Sequence, residues 1–235
     1  MTCDPRAIIA DNIAQLRDEI AQAATDAGRK PGDVRLVAVS KYVDAATTAL
    51  VLAAGCADLG ESRPQQLWDK AADPALAGAR WHLVGHLQRN KLRRTLALGA
   101  LLHGVDSERL LTALEEEAAA QGITVRALLQ VNCSGEAAKS GFAPEELSRA
   151  LEFAATLAHV DIRGLMTMAA HDGNLVTARR NFAALRELRD REQACLPAGG
   201  SLAEPSMGMS DDFPAAIAEG ATLVRVGSRL FQGLS

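Results

Sequence analysis

Apolar residues recur along this chain in two alternating rhythms. Between Pro5 and Ala27, Ile9, Ile13, Leu16, Ile20 and Ala24 follow one another at steps of three and four, which places them on one face of a helix. Gly28 supplies its stop. Next comes Val34-Arg-Leu-Val-Ala-Val-Ser40, a short run rich in β-branched residues, as in a strand buried on both faces. Asp44 can then cap a helix that ends at Gly55. The alternation continues to the C-terminus. Further strands are expected at Ala57–Gly60, Trp81–Val84, Leu101–Gly104, Val125–Asn132, Ile162–Met166, Glu204–Met207 and Leu223–Val226. Helical stretches lie between them, among them Ser107–Gln121, Pro144–His159, Asn174–Cys195 and Asp211–Glu219.

Strictly alternating strand–helix units imply a parallel sheet, and eight of them imply a closed (β/α)8 barrel of the TIM type. A doubly wound open sheet is the competing architecture. It calls for fewer strands and a glycine-rich first turn, whereas the turn here reads Ser40-Lys41-Tyr42. The length of 235 residues suits one such barrel. The chain is therefore read as a single α/β domain, residues 1–235, in which residues 1–30 add an N-terminal helix to the barrel.

Composition narrows the function classes. Apolar residues make up 48% and charged residues 23%, so the core needs no staples. The net charge is −4 and the cations are scattered among acids, which argues against a nucleic-acid partner. No apolar run approaches the length of a membrane span, and the start Met-Thr-Cys-Asp-Pro has no signal-peptide character. Cys3, Cys56, Cys133 and Cys195 show no C-x-x-C spacing and are read as reduced thiols of a cytoplasmic protein rather than as disulfides or metal ligands.

In a barrel the active site is built at the C-terminal ends of the strands. Lys41 directly follows the first strand. Desolvated there, its amine can react with an aldehyde; as a bland alternative it reaches solvent or pairs with Glu61. Two late segments resemble an anion cradle: Ser206-Met-Gly-Met-Ser210 and Arg225-Val-Gly-Ser228. They follow the seventh and eighth strands, where barrel phosphate sites are usually built. The backbone can approach a ligand closely at Gly227, and Ser228 offers a hydroxyl. The alternative is that Gly208 and Gly227 are turn glycines and Ser210 an N-cap. Arg225, on the last strand, is either an inward-facing donor or a plain anion clamp.

These segments belong to a longer ordered set. It comprises Val37-Ala-Val-Ser-Lys41, Gly60-Glu61, Trp81-His-Leu-Val-Gly-His-Leu-Gln88 with Asn90-Lys91, Val105-Asp106, Leu129-Gln-Val-Asn132, Gly135-Glu136, Lys139-Ser-Gly141, Gly164-Leu-Met-Thr167, Ser206-Met-Gly-Met-Ser-Asp211 and Val224-Arg-Val-Gly227. The set, spanning about Val34 to Phe231, resembles the pyridoxal phosphate homeostasis protein family, which is similar to the N-terminal barrel of alanine racemase. The resemblance implies a fold-type III barrel with pyridoxal 5′-phosphate (PLP) as cofactor, held as a Schiff base on Lys41. It implies that Ser206, Gly227 and Ser228 hold the phosphate, that Arg225 faces the pyridine nitrogen and that Met207 packs near the ring. An arginine there leaves that nitrogen unprotonated, so the ring is a poorer electron sink. The resemblance also implies a protein that buffers PLP and delivers it to PLP-dependent apoenzymes, without established turnover.

Two departures from the family pattern bear on affinity. This chain reads Gly60-Glu61-Ser62-Arg63 where family members commonly have Gly-Glu-Asn-Tyr, and Tyr42-Val43-Asp44 where they often have Thr-Lys-Pro. The rival reading is a PLP enzyme such as an amino-acid racemase with weak activity. Racemisation needs a base on each face of the carbanion. The single tyrosine, Tyr42, adjoins the lysine, and no second domain is expected after the barrel, so a carrier that works as a monomer is preferred over a catalyst. His82 and His86 are read as barrel-mouth residues and not metal ligands, His103 as a satisfied core histidine, and His159 and His171 as surface positions. Glu115-Glu116-Glu117 reads as a solvated helix face, and Lys139 as either a mouth residue or a surface lysine.

Overall fold

The structure is a computed structural model that describes residues 4–136, 139–170, 174–196 and 200–234; the expectations for Cys3 and His171 lie outside them. The helix expected at the start is α1 (Pro5–Asp26), capped by the Asp4 side chain and buried along Ile9, Ile13, Leu16, Ile20 and Ala24. Strand β1 (Arg35–Val39) follows, then α2 (Ala45–Ala53), whose N-cap is Asp44. The alternation runs on through β2 (Asp58–Glu61), α3 (Pro64–Ala71), β3 (Arg80–Leu83), α4 (Leu92–Leu96), β4 (Leu101–Val105) and α5 (Glu108–Gln121). It ends with β5 (Val125–Gln130), α6 (Leu147–Ala155), β6 (Val160–Met166), α7 (Leu175–Gln193), α8 (Phe213–Ala218) and β7 (Leu223–Val226).

All seven strands are parallel, in the order β6-β5-β4-β3-β2-β1-β7. Ser206 bridges Met166 at the end of β6 and Leu223 at the start of β7, which joins the two edges. The eighth strand, expected at Glu204–Met207, is therefore reduced to a bridge. Its amides at Glu204 and Ser206 do reach the carbonyls of Arg163 and Leu165. Pro205 has no N–H to donate, and Gly208 at φ +90° turns the chain away two residues after Ser206.

Side chains alternate between two cores. The large one lies between the strands and the surrounding helices and includes Leu59, Leu83, Phe182, Met207 and Phe213. The small one fills the barrel interior with Val37, Leu101, Leu128, Met166 and Leu223. Gly60 faces that interior: a Cβ there would lie 3.1 Å from Val37. Helix α1 also fixes the last turn, because the Asn12 amide donates to the carbonyls of Leu230 and Gln232, and Arg229 pairs with Glu19. The turn that carries Ser228 is thus held by the helix that precedes the barrel.

The cations are less evenly spread than the sequence suggested. Lys91, Arg93 and Arg94 cluster near Trp68, with Lys91 5.7 Å and Arg94 4.6 Å from its ring centroid.

Candidate functional site

The site is the barrel mouth along the seam between β1 and β7. These strands pair with Val37 opposite Arg225 and Ala38 opposite Val226. Continued upward, that register sets Ser40 beside Ser228, so Lys41 and Ser228 crown neighbouring strands. A Cβ on Gly227 would lie 3.3 Å from the Val39 carbonyl oxygen, so this seam is close-packed.

Lys41 is half-buried and its Nζ lies 4.8 Å from the centroid of the Tyr42 ring. Among the described residues it makes no ion pair. The carboxylate suggested as its alternative partner is occupied: Glu61 accepts from the Ser40 hydroxyl at 2.7 Å and is paired with Lys70 at 2.5 Å. Lys70 also donates to the Ser40 carbonyl at 2.8 Å. This buried group lies behind the strand end and fixes the backbone from which Lys41 projects.

Arg225 is buried at 6% exposure, and no described carboxylate lies within ion-pair distance of it. Its Nη1 donates to the Ser206 hydroxyl at 2.6 Å and its Nη2 to the Thr167 carbonyl at 3.0 Å. Burial pushes its guanidinium down to about 10. Asp212 acts on it only from beyond ion-pair distance. A buried cation with no carboxylate in direct contact calls for an acceptor, and a guanidinium has only donors to offer.

Ser206 occupies a different place from the cradle expected of it. It is fully buried, with its hydroxyl between Arg225 and His103 Nδ1, the latter at 2.9 Å. The hydroxyl that accompanies Ser228 is that of Ser210, at 3.0 Å from Ser228 Oγ. Nor is Ser210 the N-cap considered for it. Asp212 precedes α8, and its carboxylate accepts from the Met209 amide. The clue was present in the sequence, because Ser206 and Ser210 lie four residues apart with Gly208 between them. Choosing between them required knowing that the chain leaves the barrel wall after Ser206.

Similarity to known proteins fits this arrangement. The model of the alanine racemase N-terminal domain matches residues 11–234. A protein of Pseudomonas aeruginosa named pyridoxal phosphate homeostasis protein is 41% identical over 223 residues, covering 95% of this chain and 94% of that one. This chain belongs to the pyridoxal phosphate homeostasis protein family. The crystal structure of PipY from Synechococcus elongatus PCC7942, described as having PLP bound, superposes with a TM-score of 0.83 at 36% identity, over 95% of this chain and 99% of PipY. An alanine racemase of Clostridium difficile shares the fold alone, with a TM-score of 0.69 at 18% identity over 84% of this chain and 52% of that one. The (β/α)8 barrel of fold-type III expected from the sequence is the architecture of this family.

Within that family frame, Lys41, Arg225, Gly227, Ser228 and Ser210 gather along one seam. Met207 does not join them. Its side chain is fully buried in the core between the barrel wall and the helices, with Phe213. Alternation along the 204–208 segment explains this, since Ser206 faces inward and its neighbour outward. Gly208 serves packing as well: a Cβ there would come within 2.6 Å of the Ala216 Cβ.

The other polar residues divide similarly. His86 lies on the surface, with its Nδ1 3.4 Å from Asp106. His82 and His103 are buried inside the barrel. His159 pairs with Glu115, whose carboxylate also accepts from the amides of Ala158 and His159; Glu115 is thereby anchored rather than freely solvated. Lys139 donates to the Ala169 carbonyl and pairs with Glu136. Among the described residues no group of three or more His, Cys, Asp or Glu side chains could hold a metal ion.

Proposed function

We propose that this chain binds PLP and serves PLP homeostasis as a cofactor carrier and buffer. The observation that carries the reading is Arg225: a buried cation without a carboxylate partner, on the seam crowned by Lys41. The PLP-bound PipY structure and the name shared by the relatives support it. PLP supplies an aldehyde and a phosphate when bound. The Lys41 amine would hold the aldehyde carbon covalently. The hydroxyls of Ser210 and Ser228, with the backbone at Gly227, would hold the phosphate. Arg225 would donate to the pyridine nitrogen, which can then only accept. Ser206 would orient Arg225 without touching the phosphate.

A carrier needs an accessible cofactor, and Tyr42 beside Lys41 is 75% exposed. It is the only tyrosine in the chain and lies against Lys41, which supports carriage over two-base racemisation. We read the protein as a cytoplasmic monomer, whose site draws on one chain and whose recipients are PLP-dependent apoenzymes. No helix among the described residues is long and apolar enough to cross a membrane.

The test is an absorbance spectrum of purified protein before and after adding PLP, then borohydride reduction and peptide mass spectrometry. The expected outcome is an absorbance band assignable to bound cofactor and a reduced pyridoxyl adduct on the Lys41 peptide. No band after PLP addition, or an adduct confined to another lysine, overturns the reading.

A further inference from the structure

We infer that the side chains behind Arg225 form a hydrogen-bond relay of fixed direction across the barrel interior, and that Asp58, His82 and His103 are positioning residues for the group Arg225 faces. The chain of contacts is continuous. Arg225 Nη1 lies 2.6 Å from Ser206 Oγ, Ser206 Oγ 2.9 Å from His103 Nδ1, His103 Nε2 2.9 Å from His82 Nδ1, and His82 Nε2 3.0 Å from Asp58 Oδ1. Every one of these residues is buried. Asp58 opens β2 at the floor of the barrel, where Arg80 grips its carboxylate, so the relay runs from floor to mouth.

Its two ends determine its sense. Arginine has only donors and an ionised aspartate only acceptors. Asp58 is ionised. Burial alone would raise its carboxyl, but the hydrogen bonds of His82 and Arg80 and the charge of Arg80 outweigh that and hold it well below the usual carboxylate range. His82 must therefore donate from Nε2. Among the described residues the Ser206 hydroxyl hydrogen has one acceptor, His103 Nδ1, and Ser206 Oγ then accepts from Arg225. His103 accordingly donates from Nε2 to His82 Nδ1. Each imidazole is neutral and carries its proton on Nε2, and each contact has one donor and one acceptor. Burial, with the charges of Arg225 and Arg35 adding to it, pushes His103 well below the ordinary histidine value, in keeping with a neutral ring. Reversing the sense would place an imidazolium at His82 and leave the Ser206 hydrogen without an acceptor. The relay thereby fixes Nη1 of Arg225 on Ser206 while Nη2 donates to the Thr167 carbonyl, and the guanidinium donors not used by these two contacts are what Arg225 can offer the mouth.

The positioning role rests on the PLP reading above, whereas the relay itself can be tested without cofactor. Long-range proton–nitrogen NMR spectra of the 15N-labelled, PLP-free protein at neutral pH read both tautomers. Nε2–H on His82 and on His103 is expected; Nδ1–H or double protonation on either overturns the relay. PLP binding to His82→Leu and His82→Gln variants then tests positioning. Leucine should raise the dissociation constant about tenfold and shift the absorbance band, because the partners of a buried relay are left unpaired. Glutamine keeps one donor and one acceptor and should restore most of both. A folded leucine variant with the wild-type constant and spectrum overturns the positioning role. Wild-type protein that takes up no PLP overturns the cofactor reading, and the tautomers then decide the relay alone.

Discussion

Lys70 and Glu61 form an ion pair sealed behind the strand end that carries Lys41. Their side chains are 7% and 0% exposed, and Glu61 Oε2 has no hydrogen-bond partner. A buried pair is costly to assemble, but removing one member strands the other charge. Lys70→Met should therefore destabilise the protein by about 3–5 kcal/mol. Replacing both residues by apolar ones of similar volume should cost less than the single change. Denaturant unfolding of the two variants checks this; a single-variant loss near zero would mean that Glu61 is not held as an anion.

Lys41 itself has no comparable structural duty. Its amine touches only the Tyr42 ring among the contacts described, and neither residue belongs to the core. Lys41→Ala should leave the unfolding midpoint within about 0.5 kcal/mol of wild type. On the PLP reading it should also abolish the borohydride-reducible adduct. Loss of the fold would show that this lysine supports structure, and a surviving adduct would place the anchor elsewhere.

How much of this was legible in the sequence differs by level. The strand–helix alternation was legible because short apolar runs rich in valine, such as Leu36-Val37-Ala38-Val39, recur between helical patterns. Lys41, Arg225, Gly227 and Ser228 could be placed because they follow or lie on strands, and strand ends define the mouth. Ser206 and Ser210 could not be told apart, because the difference lies in Pro205 and Gly208 ending the ladder around a single bridge. His82 was read with His86 at the mouth, and His103 as a core histidine. The contacts of His82 with His103 and with Asp58 join three strands and leave no local trace in the chain. Met207, expected near the ring by resemblance, is buried on the helix side of the wall, because its neighbour Ser206 faces the barrel.

The serine pair offers a discriminating comparison. If Ser210 and Ser228 hold a phosphate, each makes a hydrogen bond to a charged group, worth about 1.5–3 kcal/mol. Ser210→Ala and Ser228→Ala should each weaken PLP binding by about tenfold or more. Ser206→Ala should instead act through Arg225 and shift the absorbance band of the bound cofactor. Titrations of the three variants followed by absorbance separate the roles. A pure affinity loss in Ser206→Ala, equal to that of the other two, would return Ser206 to the cradle.

Gly208 tests the packing of the segment that replaces the eighth strand. Its φ of +90° disfavours any side chain, and a Cβ would sit 2.6 Å from Ala216 and 2.9 Å from the Phe213 backbone. Gly208→Ala should destabilise by at least about 2 kcal/mol, from strain and overpacking together. The mouth should suffer with it, because Ser206 and Ser210 flank this turn. Thermal unfolding measures the first effect and PLP titration the second.

Acid should expose the Asp58 end of the relay. The folded-state carboxyl is held well below its ordinary value, so its contribution to stability is present above the unfolded value and is lost as pH falls. Asp58→Asn removes that contribution at every pH. The stability gap between wild type and Asp58→Asn should therefore be full at neutral pH and shrink as pH drops below about 4, where the unfolded aspartate takes up a proton. Denaturant melts of both proteins at a series of pH values read the gap directly. A gap that stays constant down to the lowest pH at which the protein folds would mean that Asp58 contributes through packing alone, and that His82 and Arg80 do not hold it as an anion.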